Sequence, residues 1–186
     1  MDGPLYVFGY GSLMWRPGFR FGRVRPGLLR GARRALCVFS WVHRGTEAEP
    51  GLVLGLDRGG ACRGLVFEVA AEDRSEVIAY LREREQVTGV YVEAVRPVRV
   101  VDPVEGVSVV PALTYLVDRR HPQYAGALDI ETQAALVRRG VGISGDNPDY
   151  VLSTLAHLRD LGIHDPQLEA VAARLGDPAT APVRPV

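Results

Sequence analysis

Apolar positions fall into short dense runs in the first two-thirds of the chain and into helical spacing in the last third. Leu5–Tyr10, Ala35–Val42, Leu52–Leu56, Cys62–Val69, Tyr91–Val101 and Val107–Val117 are rich in Val, Leu, Phe and Tyr and are bounded by Gly, Pro and Asp, which predicts six strands. Helices do not alternate with them. That argues against a doubly wound sheet and for an α+β fold built on a small, mostly antiparallel, barrel-like sheet with flanking helices. One helix is predicted between the fourth and fifth strands, over about 74–86, with Asp73 as cap and Glu76 completing a capping-box pair. A second covers roughly 130–139. A third opens with Asn147 as cap and Pro148 at its first position and ends before Gly162. A fourth opens at Asp165-Pro166 and stops near Gly176. Residues 1–176 are expected to form one domain, and 177–186, rich in Pro and Ala, a disordered tail.

On the first helix Val77, Ile78 and Leu81 mark the buried stripe, and Glu85 falls on the same stripe while Glu83 points away. Burying a carboxylate is costly unless it is paired or has work to do. Glu85 is therefore a candidate general base or acid, or else a partner of Arg82, Arg84 or a core arginine, or a side chain escaping to water from a frayed last turn. Burial and the helix C-terminus would both raise its pKa.

The other chemically suggestive segment follows the first strand: Tyr6-Val7-Phe8-Gly9-Tyr10-Gly11-Ser12-Leu13. Two glycines flanking a tyrosine let backbone N–H groups approach a ligand and form a nest for an anion; a plain tight turn is the alternative. Met14 occupies the third position of a dinucleotide fingerprint, and no amphipathic helix follows. Ser12 lacks the nucleophile elbow because Tyr10 replaces its first glycine, and Ser144 misses it at Asp146.

Composition excludes more than it adds. The 186 residues carry no net formal charge and no lysine, so nucleic acid and anionic membrane are not expected partners, and Schiff-base or P-loop lysine chemistry is ruled out. Cys37 and Cys62 sit in apolar runs and read as buried thiols, and the four histidines are scattered; no metal or cofactor is expected. No apolar run reaches the roughly 18 residues of a membrane span. The N-terminus has no basic region leading into an apolar stretch, so a cytoplasmic protein is expected.

Several segments, taken in order, resemble the γ-glutamylcyclotransferases, in particular the ChaC-like, glutathione-specific branch. They are Phe8-Gly9-Tyr10-Gly11-Ser12-Leu13; Arg33-Arg34 with Trp41-Val42-His43-Arg44-Gly45; Cys62-Arg63-Gly64-Leu65-Val66-Phe67; Tyr80 to Glu85 leading to Gly89-Val90-Tyr91; His121-Pro122-Gln123-Tyr124-Ala125-Gly126; and Ser144 to Leu152. The similarity runs from about residue 5 to 160. It implies a small β-barrel with flanking helices. It also implies a substrate loop at Val7, Phe8, Gly9, Tyr10, Gly11, Ser12 and Leu13 and Glu85 as the catalytic acid–base; Arg44 and Tyr124 are further candidate substrate contacts. Val90 stands where a second glycine is common in the family, and the spacing from Glu85 to Gly89 is longer than in its shortest members, so the local loop path is where a departure from the family is expected.

The implied reaction needs no cofactor. The substrate's own α-amine closes on its γ-carbonyl, giving 5-oxoproline and an amine, which for glutathione is cysteinylglycine. Amides of the turn, Tyr10 or Tyr124 are candidate oxyanion donors. Arg33, Arg34, His43 and Arg44 are candidates for the glycine carboxylate, or structural ion pairs. Other γ-glutamyl amines or dipeptides, or a non-catalytic binding role, are the alternatives.

Overall fold

The computed structural model describes residues 3–86 and 88–176; the expected tail at 177–186 lies outside the described residues. The chain divides into two compact units. One comprises the chain up to Ala35 together with Gly55–Tyr124, the other Leu36–Leu54 and the chain from Ala125 onward.

The first unit is built on a closed five-stranded barrel. Its strands are β1 (Leu5–Gly9), β2 (Arg23–Ser40), β3 (Gly51–Val69), β4 (Tyr91–Asp102) and β5 (Gly106–Val117), with neighbours in the order β1-β3-β2-β4-β5. β1 runs antiparallel to β3, from Leu5↔Val69 to Gly9↔Leu65, and β4 pairs antiparallel with β5 from Tyr91↔Val117 to Asp102↔Gly106. The barrel closes through a parallel pairing of β1 with β5, Tyr6↔Ala112 and Val7↔Leu113. The α+β class and barrel-like, mostly antiparallel sheet expected from the sequence are thus present.

One helix, α1 (Arg74–Glu85), packs on this sheet. Its Val77 and Leu81 enter a cluster with Leu5, Val7, Leu13, Phe67, Val69, Leu113 and Tyr115. Each fully buried side chain of this size contributes about 1.5–3 kcal/mol, so the strand before the glycine turn and the helix carrying Glu85 share one core.

The second unit holds the far ends of β2 and β3, a two-stranded ribbon of β6 (Val141–Gly142) and β7 (Gly145–Asp146), and the helices α2 (Ile130–Arg139), α3 (Asn147–Asp160) and α4 (Pro166–Leu175). Asp165 caps α4 by accepting from the Leu168 amide, and Asp129 caps α2 by accepting from Thr132.

Four local features differ from the sequence expectation. β2 begins at Arg23 rather than near Ala35, and the two strands expected over Leu52–Leu56 and Cys62–Val69 are one, β3. Gly59 and Gly60, with φ of 95° and 70°, let that strand turn without ending, which is how glycine kinks curve a sheet into a barrel. Asp73 makes no capping bond, because it already lies in the helical region and the chain from Ala70 winds into α1 ahead of it. The cap of α3 is Asp146, not Asn147. Asn147 is fully buried, accepting from Leu52 N at 2.6 Å and donating to Leu52 O at 2.9 Å, so its amide completes a strand end instead of a helix end. No described helix is long and apolar enough to cross a membrane.

Candidate active site

β1 delivers the chain to Gly9, and a single 3₁₀ turn over Ser12–Met14 follows, closed by Met14 N donating to Gly11 O at 2.9 Å. The N–H groups that open such a turn have no partner within it. Close packing dictates the two backbones here. A Cβ at Gly64 on β3 would collide with the Gly9 carbonyl oxygen and lie 2.8 Å from the Phe8 ring, so the loop and β3 approach at backbone distance. Below the turn, Arg34 is buried and donates from Nε to Tyr10 O at 2.6 Å and from Nη2 to Arg63 O at 2.7 Å. Thr114 donates to Phe8 O at 3.2 Å. Val7, Phe8, Tyr10 and Leu13 are all buried, so the predicted loop residues form a rigid, backbone-lined turn.

Glu85 is the last residue of α1, and its side chain is 17% exposed. Burial pushes its carboxyl above the usual glutamate range, and the charge of Arg84 offsets only part of that rise. Of the alternatives the sequence left open for Glu85, the structure shows pairing with Arg84, whose Nε lies 3.3 Å from Oε1, and a side chain that stays mostly buried instead of escaping to water. Glu83 is exposed, as the helical spacing requires.

Arg84 does more than pair. Its Nη1 donates to the carbonyls of Arg16 at 2.6 Å and Pro17 at 3.2 Å and reaches Tyr80 Oη at 3.0 Å, while Nη2 donates to Ser12 Oγ at 3.0 Å. One guanidinium therefore ties the end of α1 to the turn after β1 and brings Glu85 and Ser12 together.

The remaining predicted residues are dispersed. Tyr124 donates from Oη to Asp57 Oδ1 at 3.3 Å, so in this arrangement its proton is directed at a carboxylate. Arg44 lies in the second unit, where Nη1 donates to Asp146 O at 3.1 Å and the guanidinium sits 5.4 Å from the Tyr150 ring centroid. Over residues 143–147, the amides of Ile143, Ser144 and Asn147 are taken by the carbonyls of Val42, His43 and Gly140. Among the described residues no group of three or more His, Cys, Asp or Glu gathers to hold a metal.

The sequence profile of ChaC-like proteins matches residues 5–176. The chain belongs to the ChaC-like family. It is 33% identical over 164 residues to the glutathione-specific γ-glutamylcyclotransferase of Escherichia coli K12, covering 88% of this chain and 69% of that protein. It is 32% identical to glutathione-specific γ-glutamylcyclotransferase 1 of Homo sapiens, over 92% of this chain and 78% of the relative. A crystal structure of the yeast γ-glutamyl cyclotransferase specific to glutathione superposes with a TM-score of 0.82 at 21% identity, covering 94% of this chain and 96% of that one; it shares the fold.

Sequence reasoning about this ChaC-like site missed Tyr115 and its neighbours. Tyr115, 2% exposed on β5, donates to Glu93 Oε2 at 3.4 Å, and Glu93 is its cross-strand partner. Burial, then the Glu93 and Glu85 carboxylates, push the phenol's pKa up. Arg82 clamps Glu93 with two bonds of 2.8 Å, and that bonding holds the Glu93 carboxyl below its usual range. The available signal was the β4–β5 register, which places Glu93 opposite Tyr115 once the hairpin is aligned.

Proposed function

We propose that this chain is a cytoplasmic γ-glutamylcyclotransferase, a lyase that converts glutathione to 5-oxoproline and cysteinylglycine, with residues 1–176 as its functional domain. The observation that carries the reading is Glu85: a largely buried carboxylate of raised pKa, strapped by Arg84 to the glycine turn. The names of the relatives, each a protein specific to glutathione, support the choice of substrate.

In the reaction the substrate's α-amine attacks its own γ-carbonyl carbon. A new C–N bond closes the five-membered ring, and the amide C–N bond to cysteine breaks. The turn of Val7, Phe8, Gly9, Tyr10, Gly11, Ser12 and Leu13 holds the γ-glutamyl group through backbone N–H groups. It fixes the α-amine over the carbonyl, where orientation contributes several kcal/mol. Glu85 takes a proton from the α-ammonium, whose reference pKa is about 8, and returns it to the departing nitrogen. A carboxyl raised above the usual glutamate range suits both steps better than an ordinary glutamate. Amides of the same turn face the developing oxyanion. Atoms balance without water, cofactor or covalent enzyme intermediate.

The test is release of 5-oxoproline from glutathione, γ-glutamyl dipeptides and γ-glutamyl amines by purified protein. Release from glutathione supports the proposal. Release solely from another donor overturns the substrate, and release from none, with binding intact, overturns the enzymatic reading.

A further inference from the structure

The last turn of α1 is fastened twice. Arg84 ties it to the turn after β1, and Arg82 ties it to β4, donating to Glu93 from Nε and Nη2 at 2.8 Å each. The chemistry above gives the second fastening no task. Its far end is Tyr115, a buried phenol on β5 that donates to Glu93 Oε2 at 3.4 Å. Glu93 therefore receives a guanidinium and a phenol together.

Tyr115 also lies beside Glu85. It packs in one cluster with Leu81, and Glu85 follows Leu81 by one helical turn on the same face. The Glu85 charge is among the causes that raise the phenol, after burial and Glu93. A buried phenol needs an acceptor, and here two carboxylates compete for its proton. In the structure the proton goes to Glu93. The bonds from Arg82 hold the Glu93 carboxyl below its usual range, so Glu93 stays an ionised acceptor across neutral pH. Glu85 keeps Arg84 at 3.3 Å, and among the described residues no other group donates to its carboxylate. A donor bonded there would stabilise the charged form, make it a weaker base and occupy a lone pair.

The titratable and charged groups around this end of α1 are Arg82, Arg84 and Tyr80 on the helix, Tyr91 and Glu93 on β4, and Tyr115 on β5. The β1 and β3 members of the cluster, Val7 and Phe67 among them, carry no charge. Of the charges nearby, that of Arg84 acts on the Glu85 carboxyl.

We propose that Glu93, clamped by Arg82, is a positioning residue for the reaction: it takes the Tyr115 proton and so leaves the Glu85 carboxylate open to the substrate's α-ammonium. This rests on the reading of Glu85 as the acid–base group.

The experiment follows the Glu85 carboxyl by carbon-13 NMR across pH 4–9, assigned by its absence in Glu85→Gln, beside the pH profile of 5-oxoproline release from glutathione. Glu93→Ala strands the Tyr115 proton, which should turn to Glu85. The Glu85 midpoint and the acid limb of kcat/KM should then move to lower pH by roughly one pH unit, typical of one bond to a charged group. The loss should fall on kcat more than on KM. Adding Tyr115→Phe to Glu93→Ala should restore the midpoint, a reversal that lost packing or a freed Arg82 charge would not give. Glu93→Gln keeps an acceptor oxygen and should titrate near wild type. Tyr115→Phe alone should leave the Glu85 midpoint in place, because that proton is not on Glu85. An unmoved midpoint in Glu93→Ala, no recovery in the double variant, or a midpoint that rises in Tyr115→Phe alone would each overturn the proposal, and the last requires no folded Glu93 variant. If wild type releases no 5-oxoproline, the cyclotransferase reading fails, while the titration still decides whether Glu93 withholds the Tyr115 proton from Glu85.

Discussion

Glu85→Gln removes the proton shuttle with the smallest change of shape. The amide is isosteric, and the partner left behind is not stranded: Arg84 keeps its bonds to Arg16 O, Pro17 O, Tyr80 and Ser12. The fold should survive, and the sign of the stability change follows from the raised carboxyl. In wild type the folded state favours protonated Glu85, a contribution present below the unfolded glutamate value of about 4.5 and lost as pH rises through the higher folded value. Above that folded value the ionised, buried group therefore costs stability, which glutamine does not. The Tm of Glu85→Gln should accordingly match or exceed that of wild type at pH 7–8 and lose this advantage toward pH 4. Activity should move the other way. A positioned acid–base group contributes about 10²–10⁴ in rate, and Glu85 handles a proton twice, so kcat for 5-oxoproline release should fall by at least about 10³, roughly 4 kcal/mol of barrier. In wild type the acid limb of kcat/KM should lie above the ordinary glutamate range and be missing from the residual activity of the variant. The assay is 5-oxoproline release across pH 5–9 beside melting curves. A Glu85→Gln protein retaining more than about a tenth of wild-type kcat would refute the acid–base assignment.

Arg84→Met removes the charge that lowers the Glu85 carboxyl and the strap to Ser12. The acid limb should move to higher pH, and with several charge-assisted bonds lost the melting temperature should fall by roughly 4–10 °C, about 2–3 kcal/mol in a protein of this size; an unmoved acid limb would contradict the electrostatic account. Gly64→Ala places a methyl group against Gly9 O and the Phe8 ring, so calorimetry should show a loss of about 1–3 kcal/mol with a raised KM, and a variant of unchanged Tm would mean the turn can shift freely. Arg44→Ala should leave the KM for glutathione unchanged, because its guanidinium is engaged by Asp146 O and the Tyr150 ring; a raised KM would return Arg44 to the substrate contacts.

The sequence carried the helices and the two key segments because those signals are local. Val77, Leu81 and Glu85 share a face by helical spacing, and Pro166 after Asp165 marks a helix start with its cap. Asn147 misled because Asn before Pro reads as a cap, whereas its amide pairs with Leu52, 95 residues away. The long strands misled for a related reason. Asp57-Arg58-Gly59-Gly60 has the composition of a turn, and only closure of the barrel requires those glycines inside a strand. The site divides in the same way. Glu85 and the Gly-Tyr-Gly turn were legible. The pairing of Asp57 with Arg119, 62 positions apart, and of Arg84 with Ser12, 72 apart, were not, since such contacts depend on a register that no local pattern encodes.

The single guanidinium joining α1 to the turn has a consequence for how the protein breathes. Opening the end of α1 pulls Arg84 away from Ser12 and from the carbonyls of Arg16 and Pro17, so the two groups to which the proposed reaction assigns substrate grip and proton transfer come apart in one event rather than two. The amides of Met14 and Arg16, which close the turn, and of Gln86, which closes the helix, should then exchange with solvent at a common free energy, as one cooperative unit. A ligand seated on the turn would slow exchange at the helix end that it does not touch.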